Sequence, residues 1–454
     1  MGIKEVFSCT NGVWAQSSTA TRLQYHTTHS SLYCHQVMVD FNESSQLNLW
    51  MYGKPEHLSW LREKANYTAR CELYKAEAAA ANNSEEGHPS SSTAAATMSA
   101  DPTRAHSFAR GWARRWKEGA EGTAADYENL ATQGPLQNAA GHPYPTSAEE
   151  ATLVQFYAPK LSSLVGPSPV LPKLCKRNSK VTATAALLYR RFFLSNSVLY
   201  YDPKAVLVAA AFLASKTEDA MVHASSLQQA TRELQTEVTL EDILTAECAL
   251  LQGVAFDILC FPPFQAVLAL TEDLRTYLKS EKGRSLVPRP VSSQDLQPLY
   301  VQARQTLEKA LLQTDGALLY TPGQLALGSL VVAQDVLIEK AEKPKQDESV
   351  DIQAGTDSNP NTATPLTIDW HGYVHQRFDT TPEKAQRTWE AVQAIRNELL
   401  PLSVETPPPP DWAALKAIHK KLKKVRIWGK SKKRKNKDDG TEDRPSKRTK
   451  VENP

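Results

Sequence analysis

Residues 199–216 read LYYDPKAVLVAAAFLASK, and residues 318–335 read LLYTPGQLALGSLVVAQD. Aligned at a constant offset of 119 residues, Tyr201 falls on Tyr320, Pro203 on Pro322, Val206 on Leu325 and Ala209 on Gly328. Self-similarity at that spacing predicts one helical domain present twice. Asp202 and Pro203 supply an N-cap and a first helical residue. In the second copy Thr321 and Gln324 frame Pro322 as a capping box. The body of the first copy, AVLVAAAFLA, is apolar all round, which predicts a helix enclosed by others rather than laid on a surface. The copies part at their last residue, Lys216 in one and Asp335 in the other. Chemistry that needs that residue belongs to one copy.

Working outward, SAEEATLVQFYAPKLSSLV predicts a helix opened by a Ser147–Glu150 capping box. TATAALLYRRFF predicts an apolar helix ending at Asn196, and SSLQQATRELQ and LEDILTAECALLQGVAF two more after the repeat. Beyond an FPPF break come FQAVLALTEDLRTYL, LQPLYVQARQTLEKALL and the second copy. A polar insert over about 341–366 precedes helices at 367–378 and 381–400. The fold expected is all-α, with two tandem five-helix bundles at 147–260 and 261–402 and helices flanking them. Residues 1–43 read as a disordered extension and 44–80 as an N-terminal helical segment with Leu58, Leu61, Ala65 and Ala69 on one stripe. The Ala-, Ser-, Gly- and Pro-rich stretch 81–146 reads as a disordered insertion in which FARGWARRW makes a short basic helix. Within 403–454, Asp411 caps a last helix with Leu415, Ile418, Leu422 and Val425 on one face, ahead of a basic tail.

Net charge is +2 over 454 residues. The tail 411–454 holds 16 Lys/Arg against 6 Asp/Glu, so the rest of the chain is acidic and a basic nucleic-acid-binding core is not expected. Six scattered cysteines (Cys9, Cys34, Cys71, Cys175, Cys248 and Cys260) include no CxxC pair, which argues against a zinc site or a disulfide framework. No apolar run approaches the ~20 residues that span a bilayer, and no signal-peptide pattern opens the chain. The expectation is a soluble intracellular protein with no membrane partner. No phosphate loop, HExxH, GxSxG or metal-spaced histidine set occurs, so neither catalysis nor a cofactor is expected.

One carboxylate stands out. The large apolar residues of 239–256 are Leu240, Ile243, Leu244, Leu251 and Val254, and Glu247 falls on the line they define. A carboxylate facing a core is costly unless it is paired. Lys216, closing the most apolar helix of the same bundle, is the candidate partner. Spacing leaves a second reading open, in which Glu247 reaches solvent and Lys216 is a favourable charge at a helix C-terminus.

RRFFLSNSVLYYDPKAVLVAAAFLASKTED resembles the second and third helices of a cyclin box, and TAECALLQGVAFDI its fifth. The chain thus resembles the cyclin family, whose fold is two five-helix boxes. The resemblance implies a regulatory subunit that activates a cyclin-dependent serine/threonine kinase and is not itself an enzyme. It also implies that Lys216 and Glu247 are the lysine and glutamate contacting the kinase, beside an apolar surface for which Phe212, Leu213 and Leu251 are candidates. SSQLNLWMYGKPEHLSWLREKANYTAR, residues 44–70, is similar to the N-terminal segment of the H-type branch of that family. The matching residues are Ser44, Ser45, Gln46, Trp50, Leu58, Leu61, Arg62, Ala65, Asn66 and Arg70. That branch implies a kinase that activates other cyclin-dependent kinases, a RING-finger assembly factor as third subunit, and association of this trimer with the core of transcription factor IIH, the whole factor phosphorylating the C-terminal domain of RNA polymerase II. Lys432, Lys433, Arg434, Lys435, Lys447 and Arg448 read as a nuclear-localisation signal, placing the protein in the nucleus. Alternatives are a cyclin C-like transcriptional cyclin, a IIB-type DNA-binding tandem cyclin fold and a helical scaffold unrelated to kinases.

Overall fold

The computed structural model describes residues 40–85, 105–119, 130–167, 175–233, 237–342, 365–378, 381–404 and 409–428. The insert expected at 341–366 and the nuclear-localisation residues lie almost wholly outside these. In chain order the helices are α1 (Ser45–Leu49), α2 (Pro55–Glu85), α3 (Trp112–Lys117), α4 (Ser147–Tyr157), α5 (Lys160–Val165), α6 (Ser179–Phe192), α7 (Pro203–Thr217), α8 (Ala224–Glu233) and α9 (Leu240–Gly253). They continue as α10 (Phe264–Tyr277), α11 (Ser293–Gln313), α12 (Gly316–Leu319), α13 (Pro322–Glu342), α14 (Trp370–Arg377), α15 (Pro382–Val404) and α16 (Trp412–Val425). Among the described residues the only strand-like pairing is an isolated bridge between Gln137 and Pro143.

The two copies of the repeat are the central helices of two bundles. α7 starts at Pro203 with Asp202 accepting from the Lys204 N–H, and buries every residue from Ala205 to Ser215. α4 to α6, α8 and α9 surround it. α13 is enclosed in the same way by α10, α11 and α15, and its Thr321–Gln324 capping box forms as expected. Where the first copy has Ala209, the second has Gly328, and a methyl group there would collide with Ile395 of α15. The glycine permits that close approach of two helices.

Two local expectations shift. The helix expected from Ser147 breaks at Ala158–Pro159 into α4 and α5. Its capping box is Thr146–Glu149, one residue earlier than expected, because Thr146 adopts the extended N-cap backbone and Glu149 becomes the third helical residue. Glu150 is thereby freed for the interior, where its Oε1 accepts from Asn66 Nδ2 at 2.8 Å and Ser197 Oγ at 2.6 Å.

The stretch 81–146 is not uniformly disordered. Residues 105–119 and 130–146 pack on the helices, with Ala109, Ala113, Trp116 and Tyr144 buried. Backbone hydrogen bonds hold the first piece: Ala109 N–H donates to Ser195 Oγ, His106 N–H to Asn196 Oδ1 and Gly111 N–H to Leu49 O. Arg70 holds the second by donating to the carbonyls of Leu130, Gln133 and Pro135. Composition misled because a few aromatic side chains, Trp112 and Trp116 packed on Trp60 and His57, do the anchoring in a polar stretch, while polar groups on α2 and after α6 receive its backbone.

Adjacent arginines on α6 join the parts of the molecule. Arg190, 2% exposed, reaches the second bundle through Asp315 Oδ1 at 2.8 Å and Leu312 O at 2.8 Å. The other oxygen of Asp315 receives Arg62 of α2 at 2.8 Å. Arg191, fully buried, donates to Gln46 Oε1 and to Asp257 O, with its guanidinium over the Trp50 ring. Asp257 also accepts from the Trp50 indole and from Arg110, fastening a connection in which Ala255 and Phe256 both hold left-handed backbone angles. Such residues persist only where the surroundings fix them. α16 returns to the first bundle, where Trp428 Nε1 donates to Val198 O and Lys421 pairs with Glu149. As expected, Asp411 caps that helix and Leu415, Ile418, Leu422 and Val425 are buried.

Burial pushes the Asp315 carboxyl up, but the Arg62 and Arg190 charges outweigh it and hold it below the usual carboxylate range. Asp315→Ala leaves Arg190 charged and buried without a counterion. Since Asp315 itself is partly exposed, the expected loss is about 3 kcal/mol, the low end for breaking a buried pair, read as a lower urea midpoint. An unchanged midpoint would show that the junction does not depend on this pair. Burial pushes the Glu150 carboxyl up to about 7 against the pull of its hydrogen bonds. The native state therefore keeps a proton that the unfolded chain releases near its ordinary value. Stability from this group is full below about pH 4.3 and is lost as pH rises towards 7, amounting to roughly 3 kcal/mol. Glu150→Gln, which cannot ionise, should gain on the wild type between pH 5 and pH 8. Parallel urea-midpoint profiles across that range would refute the assignment.

Candidate functional site

Lys216 stands in the last turn of α7, and the loop after it is tightly held. Ser215 Oγ accepts from the Val222 N–H, Ser215 O accepts from the Ala220 N–H, and Arg177 donates to the carbonyls of Ala220 and Met221. Glu218, at the helix C-cap, pairs with Lys180 and accepts from Thr184 Oγ1. This clasp ends α7 where the lysine emerges. Glu247 is placed by α9, which opens on a Thr239–Asp242 capping box and closes at Gly253, packed directly on Phe192 of α6.

The two side chains meet. Lys216 Nζ lies 2.7 Å from Glu247 Oε1, with side-chain exposures of 37% and 12%. The pair sits at the bundle edge, so Glu247 does not point into the core as its place among the large apolar residues suggested. The buried face of α9 is Ile243, Ala246, Ala249, Leu250 and Gly253, whereas Leu240 and Leu244 are exposed. Small residues line the buried face because α9 lies close against α6 and α7. The leucines taken for core belong to the opposite side, where Leu240, Leu244, Glu247 and Leu251 fall at the i, i+4, i+7 and i+11 positions of one helix face.

The structure places the apolar candidates at different depths. Phe212 and Leu213 are 6% and 5% exposed and offer little surface, while Leu251 is half-buried. Phe212 instead sits beneath the lysine, whose Nζ is 3.8 Å from its ring centroid. A cation over an aromatic face is held by about 0.5–1 kcal/mol at exposed sites. The exposed apolar residues of this end are Leu240 and Leu244 of α9 and Met221 in the loop after α7. Sequence reasoning missed all three as surface. The alanines and glycine at 246, 249 and 253 were the signal that marked the true packing face.

The pair can bind a partner at both polarities. An ammonium has three donors and Glu247 receives one of them, while the second carboxylate oxygen accepts from nothing among the described residues. The assembly therefore offers donors and an acceptor side by side, next to an apolar helix face. Among the described residues no three His, Cys, Asp or Glu side chains are grouped to hold a metal ion, and no helix is long and apolar enough to cross a membrane.

The second bundle holds an inverted copy. Asp335 occupies the position of Lys216 in the repeat, and its Oδ2 receives Arg396 Nε of α15 at 2.6 Å. At a spacing of 149, buried Ile243, Ala246 and Leu250 of α9 fall on buried Val392, Ile395 and Leu399 of α15, which brings Glu247 onto Arg396. The intramolecular ion pair is kept and its polarity reversed. α13 also runs a further seven residues past Asp335, so this pair lies along a helix rather than at its end.

The N-terminal residues singled out by sequence converge on the junction. Ser44, Gln46, Trp50, Leu58, Leu61, Ala65, Asn66 and Arg70 are buried, and Arg62 is paired with Asp315.

Comparison with known proteins agrees with this geometry. A family model for the cyclin N-terminal domain matches residues 173–259, which contain both Lys216 and Glu247. Cyclin CCL1 of Saccharomyces cerevisiae is 29% identical over 195 residues, 43% of this chain and 44% of that protein. Cyclin-H1-1 of Arabidopsis thaliana is 31% identical over 158 residues, 35% of this chain and 43% of that protein. The match therefore spans less than half the length of either relative. A solved chain from the CAK complex of Chaetomium thermophilum bound to ATP-γ-S shares the fold, with a TM-score of 0.55 at 20% identity, over 90% of this chain and 98% of its own. With two bundles built on a duplicated central helix, the first matched by the cyclin N-terminal model over residues 173–259, the chain is similar to the cyclins, and among them to cyclins of the H type.

Proposed function

We propose that this cyclin is the regulatory subunit of a cyclin-dependent serine/threonine kinase and activates it through the first bundle. The observation that carries the reading is the Lys216–Glu247 pair, partly exposed through the lysine, on the α9 face that also carries Leu240 and Leu244. A kinase of this class works only with its αC helix turned in, its internal lysine–glutamate pair formed and its activation loop ordered. A subunit that binds only that state shifts the equilibrium towards it. Moving a kinase from 1% to 99% active takes about 5.5 kcal/mol of differential binding. Lys216 and Glu247 fit that role as hydrogen-bonding groups for backbone near the αC helix, and the apolar face of α9 supplies burial beside them.

The relatives narrow the reading to an H-type subunit. Two relatives similar in sequence carry the names cyclin CCL1 and cyclin-H1-1, and one solved chain of the same fold comes from a CAK complex. We extend this to a RING-finger assembly factor as third subunit, to the core of transcription factor IIH, and to phosphorylation of other cyclin-dependent kinases and of the RNA polymerase II C-terminal domain. The protein itself would catalyse nothing. Residues 147–260 would bind the kinase and 261–402 would brace it. The basic tail with Lys432, Lys433, Arg434, Lys435, Lys447 and Arg448 would direct the assembly to the nucleus.

The partly exposed pair contributes little to folding, about 0.2–1 kcal/mol. Lys216→Ala and Glu247→Ala should therefore melt within a few degrees of the wild type. Each should raise the concentration needed for half-maximal kinase activation by about tenfold, equivalent to about 1.4 kcal/mol of binding. The double variant should be little worse than either single one, because the two groups act as a pair. Kinase assays titrated with each variant test this, and full stimulation by the double variant at wild-type concentrations would sink it. A fluorescent reporter fused to residues 429–454 should enter the nucleus and should stay outside when Lys432, Lys433, Arg434 and Lys435 are replaced by alanine. Equal import of both fusions would remove the localisation claim.

A further inference from the structure

Lys64 of α2 ends among aromatic rings. Its Nζ lies 4.9 Å from the ring centroid of Trp60, 5.0 Å from that of Trp112 and 5.3 Å from that of Phe108. Trp60 stands one turn earlier on α2, while Phe108 and Trp112 belong to the segment 105–119 packed against it. The ammonium thus closes a box whose walls come from two separate stretches of chain. Ring faces attract a cation through their quadrupoles, and the attraction grows as water is withdrawn. Among the described residues no carboxylate is paired with Lys64, and the charge that acts on it is the like charge of Arg115. Burial first, and then Arg115, push its ammonium down. Arg115 in turn lies 5.2 Å from the Trp112 centroid, so one indole serves two cations.

The two halves of 105–119 are held by different means. The first half is fastened through backbone and charge: the N–H groups of His106 and Ala109 donate to Asn196 and Ser195, that of Gly111 to Leu49 O, and Arg110 pairs with Asp257. The second half, α3, rests on rings. Trp112 meets Trp60 edge-on at 4.7 Å, and Trp116 lies 5.9 Å from Trp60 and stacks on His57 at 3.9 Å. At its end Lys117 Nζ donates to Leu47 O. Lys64 is therefore the charge that ties the rings of α3 to α2. Acetylating a lysine removes its charge and its cation–π contacts, whereas methylating it keeps the charge.

We propose that Lys64 is an acetylation site whose charge holds α3 on α2, so that transfer of an acetyl group takes the cation out of its three-ring box and releases α3, while N-methylation leaves α3 in place. Lys64 is partly exposed, which gives an acyl donor access to it. In the transfer the neutral Nζ attacks the carbonyl carbon of an acetyl thioester. The C–N bond forms as the C–S bond breaks, the thiolate leaves, and the amine proton passes to solvent. The amide that results is uncharged, and the backbone bonds of the first half keep the segment tethered while α3 opens.

The test uses the full chain as wild type, as Lys64→Arg, as Lys64→Gln, and with acetyl-lysine placed at position 64 during translation. Limited digestion with trypsin is followed by mass spectrometry of fragments ending at Arg114 and Arg115. Cleavage of a segment that opens and recloses faster than it is cut follows its open population. Cleavage at these two bonds should rise about tenfold in the acetylated and Lys64→Gln forms and stay within about twofold of wild type in Lys64→Arg (≈ 1.4 kcal/mol per tenfold). Bonds after Arg190 and Arg191 should stay uncut in every form, which separates local release from unfolding. Reductive methylation of the wild type, which keeps lysine charge, should leave α3 protected. Protein isolated from its own cells should yield the peptide Glu63–Arg70 with an acetyl group on Lys64. Equal protection of α3 in the wild-type and acetylated forms would overturn the proposal. So would loss of protection in Lys64→Arg as large as in Lys64→Gln, which would assign the hold to the fit of the lysine rather than its charge. Absence of the acetylated peptide would overturn the modification itself.

Discussion

Arg190 and Arg191 are consecutive residues of one helix, buried, and turned to different neighbours. Successive helical residues project about 100° apart, so one peptide unit serves two interfaces. Arg190 and Arg62 share the carboxylate of Asp315 and thereby tie α6, α2 and the second bundle together. Arg191 ties the first N-terminal helix to the connection between the bundles. Burying a guanidinium is costly unless most of its donors are met; Arg190 has the Asp315 carboxylate and Arg191 the oxygens of Gln46 and Asp257, each leaving its Nε without a partner among the described residues. That requirement makes the relative placement of three segments mutually dependent, and it explains why an N-terminal segment outside both bundles is so thoroughly buried.

Much of this was legible in the sequence, and for identifiable reasons. The repeat announced two bundles because an enclosed central helix admits few polar residues, chiefly small or bonded ones such as Ser215, Ser329 and Gln334, leaving a mostly apolar string at a fixed offset. The caps at Asp202, Thr321 and Asp411 were legible because capping is local. The phase of α9 was not. Its stripe was drawn through leucines, while the packing face is alanine and glycine, residues whose hydrophobic weight is small and whose value lies in letting helices approach. The capping box of α4 slipped by one residue because Thr146 and Ser147 are both competent caps, and only the tertiary demand for Glu150 inside the bundle separates them. Within 81–146 the short helix Trp112–Lys117 was legible as FARGWARRW, whereas the packing of 130–146 was not, because its backbone carbonyls are held by Arg70, which composition does not register.

The pairing of Lys216 with Glu247 was the reading that spacing left open, and its physical basis differs from the one first suggested. A core-facing carboxylate in need of rescue was the starting idea. The structure has instead a surface pair held in place from below: Phe212 under the ammonium, Ser215 and Arg177 fixing the turn beyond it, Gly253 setting the tilt of α9. Such an arrangement adds little to folding and holds two flexible side chains aligned in advance, which on the proposed reading lowers the ordering cost of binding a kinase. Phe212 illustrates how an apolar residue can shape a binding surface while hardly belonging to it.

The inverted pair at Asp335 and Arg396 has a consequence for valency. Duplicating a domain that binds a partner ordinarily creates two binding sites, and with them competition and mixed stoichiometry. Here the copies keep the same bond across the same two helices but exchange its poles. A segment that offers an acceptor to Lys216 and a donor to Glu247 would present each to the wrong pole in the second bundle, and like-charge or like-dipole juxtaposition at an interface costs several kcal/mol. On the proposed reading, the chain doubled its scaffold without doubling its address.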